Sequence, residues 1–239
     1  MKINLLKRLF LLIITIILLS CKKDNKKDVL SSDYFSIATN LKTLTNYKDV
    51  SINDTVKKVS GNFNQYEIRG FINNLGQKIN WWNIVDLKKD AGYNVRLEYR
   101  IIDNKEKVNQ FIFYHPKHGI YKINSKFYLK KKNKNILTYS FYTPSEYEKI
   151  NSVGKFEYYI FIDNKLFISK IAECKKQDNA FFIDIPFPKT NKHVILKGLF
   201  SELFEDKDKK LGQNDIYVLD NLSVGQKPPL QSVQLFTPK

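Results

Sequence analysis

The sequence predicts an all-β protein, an antiparallel β-sandwich or curved meander of about ten strands that follows a short leader and a flexible tether. Three observations predict it. Apolar and polar residues alternate with period two, as in Val95, Leu97, Tyr99 and Ile101 set against Arg96, Glu98 and Arg100. Such runs are short and recur, separated by Asn, Asp and Lys clusters that suit tight turns. No long 3.6-residue periodicity occurs after residue 20.

The elements follow in order. Lys2, Lys7 and Arg8 form a short cationic start, and residues 9–19 are apolar except for Thr15. A bilayer-spanning helix needs about 20 apolar residues, so this core has the length of a signal-peptide apolar region. Residues 21–60 are rich in Ser, Thr, Asn, Asp and Lys and read as a tether, with a short amphipathic turn around Leu41 to Leu44.

From Gly61 onward the strand pattern takes over. Runs at 95–101 and 108–114 form a hairpin, as do 126–129 with 136–142 and 156–162 with 166–171. Further strands are expected at 181–185, 194–204 and 216–219, with Pro186 and Pro188 ending the first of these. Ile-Asp-Asn-Lys occurs at 102–105 and again at 162–165, which marks two similar hairpin turns. The expected organisation is a leader over 1–20, a tether over 21–60, a hairpin region over 61–119, a sandwich-like region over 120–224 and a tail over 225–239.

Leu18-Leu19-Ser20-Cys21 resembles the bacterial lipobox. The resemblance implies cleavage before Cys21 and acylation of its thiol and new amine. One acyl chain holds a protein only reversibly, and two or three hold it firmly. The charged segment after Cys21 resembles the tether of Bacteroidota lipoproteins, although Asp24 and Asp28 are its only acids and Lys22 stands where an inner-membrane retention Asp would lie. The implied location is the outer membrane, on its periplasmic or cell-surface side. Asp54-Thr55-Val56 resembles the O-glycosylation pattern of such proteins, which makes Thr55 the candidate acceptor.

Arg69-Gly70-Phe71, Gly76-Gln77-Lys78 and Trp81-Trp82 together resemble a degenerate MORN-variant repeat. A poorer second copy runs through Leu97-Glu98-Tyr99 and Phe113-Tyr114 to Gly119. The likeness covers residues 69–119 and lacks the regular glycine spacing of that family. It implies hairpin turns at glycines with aromatics filling the space between hairpins. Related repeats occur in toxin-immunity proteins and in surface lipoproteins.

Composition narrows the function classes. The formal charge is +16 over 239 residues, but nearly every cation is Lys; Arg8, Arg69, Arg96 and Arg100 are the exceptions. Nucleic-acid readers lean on Arg for bidentate contacts, so no specific nucleic-acid partner is expected, and A/T-rich codon usage accounts for much of the Lys, Asn and Ile. Two cysteines, one of them Cys21, exclude a disulfide framework, and Cys174 reads as a buried thiol.

Candidate sites are few. Trp81 and Trp82 point to opposite faces of a strand; one belongs to the core, and the other is exposed for stacking unless the sheet is covered on both sides. Tyr93 and Arg96 join them as candidate binding residues. His115 and His118 fall short of the three or four ligands a zinc site wants. Glu202, Glu205, Asp206 and Asp208 lack the calcium-loop Gly and Glu, since Leu211 and Tyr217 stand there, and read as a solvated charged hairpin. The Lys130 to Lys134 run reads as a solvated hairpin tip. No nucleophile elbow or phosphate-cradling loop occurs, and neither a cofactor nor a metal is expected. The leading expectation is a non-enzymatic, membrane-anchored lipoprotein that binds a protein or an anionic glycan. An immunity-like lipoprotein and a hydrolytic enzyme with unassigned acids are the alternatives.

Overall fold

The computed structural model describes residues 37–88, 94–115, 117–145, 149–188 and 190–222. It is an all-β fold of fifteen strands in three antiparallel sheets. The first sheet is a seven-stranded meander whose strands follow one another in chain order: β1 (Thr45–Asn53), β2 (Val56–Phe63), β3 (Tyr66–Asn73), β4 (Lys78–Asp86), β5 (Asn94–Ile102), β6 (Lys105–His115) and β7 (Gly119–Ile120).

The remaining strands form two four-stranded sheets. They are β8 (Phe127–Asn133), β9 (Ile136–Tyr142), β10 (Lys149–Ile162), β11 (Lys165–Glu173), β12 (Lys175–Gln177), β13 (Ala180–Pro186), β14 (Val194–Asp206) and β15 (Leu211–Asn221). One sheet has the order β11-β10-β14-β15 and the other β12-β13-β9-β8. Their facing sides enclose one aromatic core, in which Phe141 stacks on Phe200 at 4.2 Å with the rings 7° apart. Tyr139, Phe156, Phe181 and Ile185 complete its centre, each such side chain contributing about 1.5–3 kcal/mol on burial.

Several boundaries differ from the expected ones. Strand structure begins at Thr45, inside the stretch read as tether. β1 is exposed along its whole length, so its sequence carries no apolar alternation to announce it. Before it, Ala38 and Thr39 are buried, and the Thr39 hydroxyl lies 2.5 Å from the Tyr99 hydroxyl; Leu41–Thr43 is a 3-10 turn capped by Asn40. Lys130, Lys131 and Lys132 belong to β8 rather than to a hairpin tip, because pairing with β9 runs on to Asn133 and Ile136. The tip is Lys134-Asn135, with Lys134 at φ 51.

The hairpin turns rest on residues that accept a left-handed backbone. Asp103 and Asn104 have φ 52 and 60, and Asp163 and Asn164 have φ 47 and 65, the two-residue geometry that matches strand twist. At the β1–β2 turn the Asn53 side chain accepts from the amides of Thr55 and Val56, a local turn bond typical of Asn.

Meander and sandwich meet along a mixed seam. Trp81 and Ile112 pack with Phe127 of β8, and the Phe111 and Lys126 backbones exchange bonds of 2.7 and 2.9 Å. Beside them lies Glu98, buried and fully engaged. It accepts Arg100 Nε and Nη2 at 3.0 and 2.9 Å and the amides of Asn109 and Gln110 at 2.6 Å each. A register shift in β6 makes this possible: Glu98 pairs with Gln110 and Tyr99 with Val108, so Asn109 is the extra residue of a bulge. Its side chain then acts as one more strand residue for β15, donating to Tyr217 O at 2.9 Å and accepting from Tyr217 N at 2.7 Å.

Candidate functional site

Both tryptophans are interior. Trp82 is 0 % exposed and Trp81 4 %. Trp82 sits on the meander face that also carries Ile68, Ile84, Leu97 and Tyr99; its Nε1 donates to Phe71 O at 3.1 Å, and its ring meets Tyr99 edge-on at 6.0 Å. Trp81 faces the sandwich, with the Arg96 guanidinium 4.7 Å from its ring centre. The sheet is therefore covered on both sides here, and the expected stacking platform of Trp81, Trp82 and Arg96 is corrected to a packing role. Tyr93 lies outside the described residues, as do Cys21 and the tail over 225–239. Thr55 is exposed at its turn, with its hydroxyl donating to Asn53 Oδ1 at 3.0 Å.

The other singled-out residues fall apart in space. The His115 and His118 rings lie 4.5 Å apart in one turn, while the backbone of His193 bonds to Asp163 at the β10–β11 turn. Among the described residues no three His, Cys, Asp or Glu side chains gather as a metal site. Cys174 is buried, and burial followed by the charge of Glu173 pushes its thiol up to about 12, so it is protonated and unreactive near neutrality.

A site the sequence did not reveal lies at one end of the sandwich. Thr143, Ser145, Lys149, Lys176, Asn179 and Glu202 line a cleft of about 270 Å³. Glu202 departs from the expected solvated hairpin. It is 1 % exposed and continues the inward alternation of Leu196 and Phe200 along β14. Lys149 Nζ reaches its two oxygens at 2.9 and 2.7 Å, Ser152 Oγ at 2.6 Å and Asn214 Nδ2 at 2.8 Å. Burial raises the Glu202 pKa, but these donors outweigh it and leave the carboxyl below its usual value. Burial likewise pulls the Lys149 ammonium down, against the opposing effect of Glu202. With its oxygens occupied the carboxylate has no lone pair well placed to accept a substrate proton, and the ammonium, held also by Thr143 at 3.2 Å, is no free nucleophile. The pair clamps β10 to β14, and through Asn214 to β15.

A different feature faces outward. With Phe156, Tyr158 and Ile160 turned into the core, alternation puts their neighbours on the outer face of the β11-β10-β14-β15 sheet. Register sets Ile171, Glu157, Leu199 and Tyr217 in one row, and Ser169, Tyr159, Lys197 and Leu219 in the next. Val153 and Leu203 pair further along. Ile171 is 66 % exposed and Leu203 60 %, with Val153, Leu166 and Leu219 also exposed. Glu157 and Lys197 stand among these residues, and a polar row of Glu173, Lys155, Ser201 and Asp215 separates Val153 and Leu203 from the rest.

Fold and surface together define a class: an all-β protein in which a sequential meander packs on a two-sheet sandwich whose β11-β10-β14-β15 sheet carries exposed apolar side chains on its outer face. Neither a scan against protein-family models nor a search of the curated proteins finds a match.

Proposed function

We propose that this chain is a lipid-anchored, non-enzymatic binding protein whose sandwich holds a protein partner against the outer face of its β11-β10-β14-β15 sheet. The observation that carries the binding surface is that face: apolar side chains spread over four strands, open to solvent, with lysines among them. Scattered apolar residues need no explanation, but Ile171, Leu199, Tyr217, Leu219 and Leu166 lie in neighbouring rows, with Glu157 and Lys197 among them and Glu173 and Lys155 at their border, and an apolar patch rimmed by charge marks an interaction site. The anchor rests on Lys2, Lys7 and Arg8, the apolar run, and Ser20-Cys21. The cell envelope, with the outer membrane as destination, is the compartment that follows.

Two measurements test this. Mass spectrometry of the chain purified from its native membrane is expected to find it beginning at a diacylated or triacylated Cys21; an intact Met1 or an unmodified Cys21 refutes the anchor. Pull-down from the native cell envelope with the full chain and with I171E/L203E is expected to retain one protein on the first and lose it on the second. Equal retention moves the binding surface elsewhere, and retention of glycan alone replaces the protein partner.

A second reading, an immunity-like lipoprotein, draws on the contact between Gly70 and Trp82 and on the turns at Gly76 and Gly119, both at φ 74. These fit the roles that glycines and aromatics play in MORN-variant repeats. A toxin gene beside this one, and neutralisation of its product by the purified chain, would favour it.

A further inference from the structure

The two ends of the sandwich differ in charge. β10 runs from Lys149 at the cleft to Ile162 at the other end, where Ile162, Phe187 and Val194 close the core. There the β8–β9 turn meets the close of β13, with Phe187 N donating to Asn135 O at 2.6 Å. The β10–β11 turn meets the chain that leads into β14, with Asp163 N donating to His193 O at 2.9 Å. At the cleft end the segments 173–178 and 205–210 each hold as many acids as lysines. At the far end the balance is lost. Asp163 lies 3.4 Å from Lys192, and Asp220 is taken by Lys130 at 2.6 Å. Lys131, Lys132, Lys134 and Lys165 are left with one further acid, Asp184, which accepts a bond from the Thr138 hydroxyl. All four lysines are exposed. A codon usage that enriches lysine would load both ends alike.

Apolar side chains stand among these lysines. Ile136 and Phe167 are both exposed. Phe167 is placed there by a bulge: Ile160 pairs with Ile168 and Phe161 with Leu166, which leaves Phe167 as the extra residue of β11. Ammoniums alone would suit any polyanion. Ammoniums joined by apolar groups on projecting turns suit a bilayer surface, where lipid phosphates take the charge and the acyl boundary takes the apolar groups.

We propose that this end of the sandwich docks on an anionic phospholipid bilayer, with Lys131, Lys134 and Lys165 at the headgroup phosphates and Ile136 and Phe167 at the acyl boundary. The strands then stand off the membrane, and the outer face of the β11-β10-β14-β15 sheet stays open to a partner. The docking rests on neither the anchor nor the partner proposed above.

The test adds one tryptophan at a time to the full chain, on vesicles of brominated phosphatidylcholine with or without phosphatidylglycerol. Bromine quenches an indole only at close range, and Trp81 and Trp82 are interior, so quenching beyond that of the parent chain reports the new residue. F167W is expected to be quenched when phosphatidylglycerol is present and to recover in high salt. L211W, exposed at the cleft end, is expected to show no such quenching. Each lysine near an anionic surface contributes about fivefold, so K134E/K165E is expected to weaken the docking of F167W at least tenfold, while K207E/K210E at the cleft end leaves it unchanged. Absence of F167W quenching, equal quenching with and without phosphatidylglycerol, equal quenching of F167W and L211W, or equal losses from the two charge reversals overturns the proposal. Capture on immobilised heparin without quenching on vesicles also overturns it, putting a soluble polyanion in the bilayer's place. Flotation on phosphatidylcholine vesicles alone reads the anchor separately: a chain that fails to float there, yet shows F167W quenching with phosphatidylglycerol, loses the anchor and keeps the docking.

Discussion

At the scale of the residue, Gly70 and Trp82 show how a packing demand is written in sequence. A Cβ at Gly70 would lie 2.0 Å from Cδ2 of Trp82, and the indole is tied to Phe71 O with no room to retreat. Gly70→Ala is therefore expected to cost about 3 kcal/mol or more, read as a lower denaturation midpoint. At Gly76 the space is open but φ is 74, so Gly76→Ala is expected to cost only about 1 kcal/mol. Loss of equal size at both positions would contradict the packing account. The glycine and the paired tryptophans were visible in the sequence, but the burial of both rings was not. Opposite orientations follow from alternation, whereas covering both faces depends on β8 arriving from more than forty residues away.

At the scale of the element, the clamp at Glu202 ties three strands. Its folded pKa lies below its unfolded one, so the unfolded chain takes up the proton more readily. The stabilisation is complete above the ordinary glutamate value of about 4.3 and drains as pH falls through the lower folded value. Glu202→Gln is expected to destabilise the protein at pH 7 by about 3 kcal/mol, because Lys149 stays buried and charged, and to flatten the acid limb of stability against pH. An unchanged acid limb would show that Glu202 is not the group responsible. The strands that sequence made legible alternate over one buried face, as β5 does, or end in Asp-Asn turns, as β10 does. β1 was lost because both its faces are wet, and Glu202 because an acid near Glu205 and Asp206 reads as a charged loop. Its place in the inward series after Leu196 and Phe200 was the available signal.

At the scale of the whole molecule, Asn109 couples meander to sandwich. Asn109→Ala leaves the Tyr217 amide and carbonyl without this partner and takes one donor from Glu98, so a loss of about 2–3 kcal/mol is expected. Denaturation followed separately by tryptophan fluorescence, which reports Trp81 and Trp82 in the meander, and by far-ultraviolet circular dichroism is expected to split into two transitions in that variant. Coincident curves would place the coupling in the apolar contacts of Trp81, Ile112 and Phe127 instead. The all-β class was legible from period and turns; the division into meander and sandwich was not, since strand order within a sheet is decided by pairings that local pattern does not encode. The meander's chain-order layout also bears on how the protein is born. Each of its strands pairs with the next along the chain, so this half can zip up strand by strand with little loop entropy to overcome. The sandwich must wait for β14 to return past three strands to β10, a longer search of the kind that slows folding, against a scaffold that is already standing.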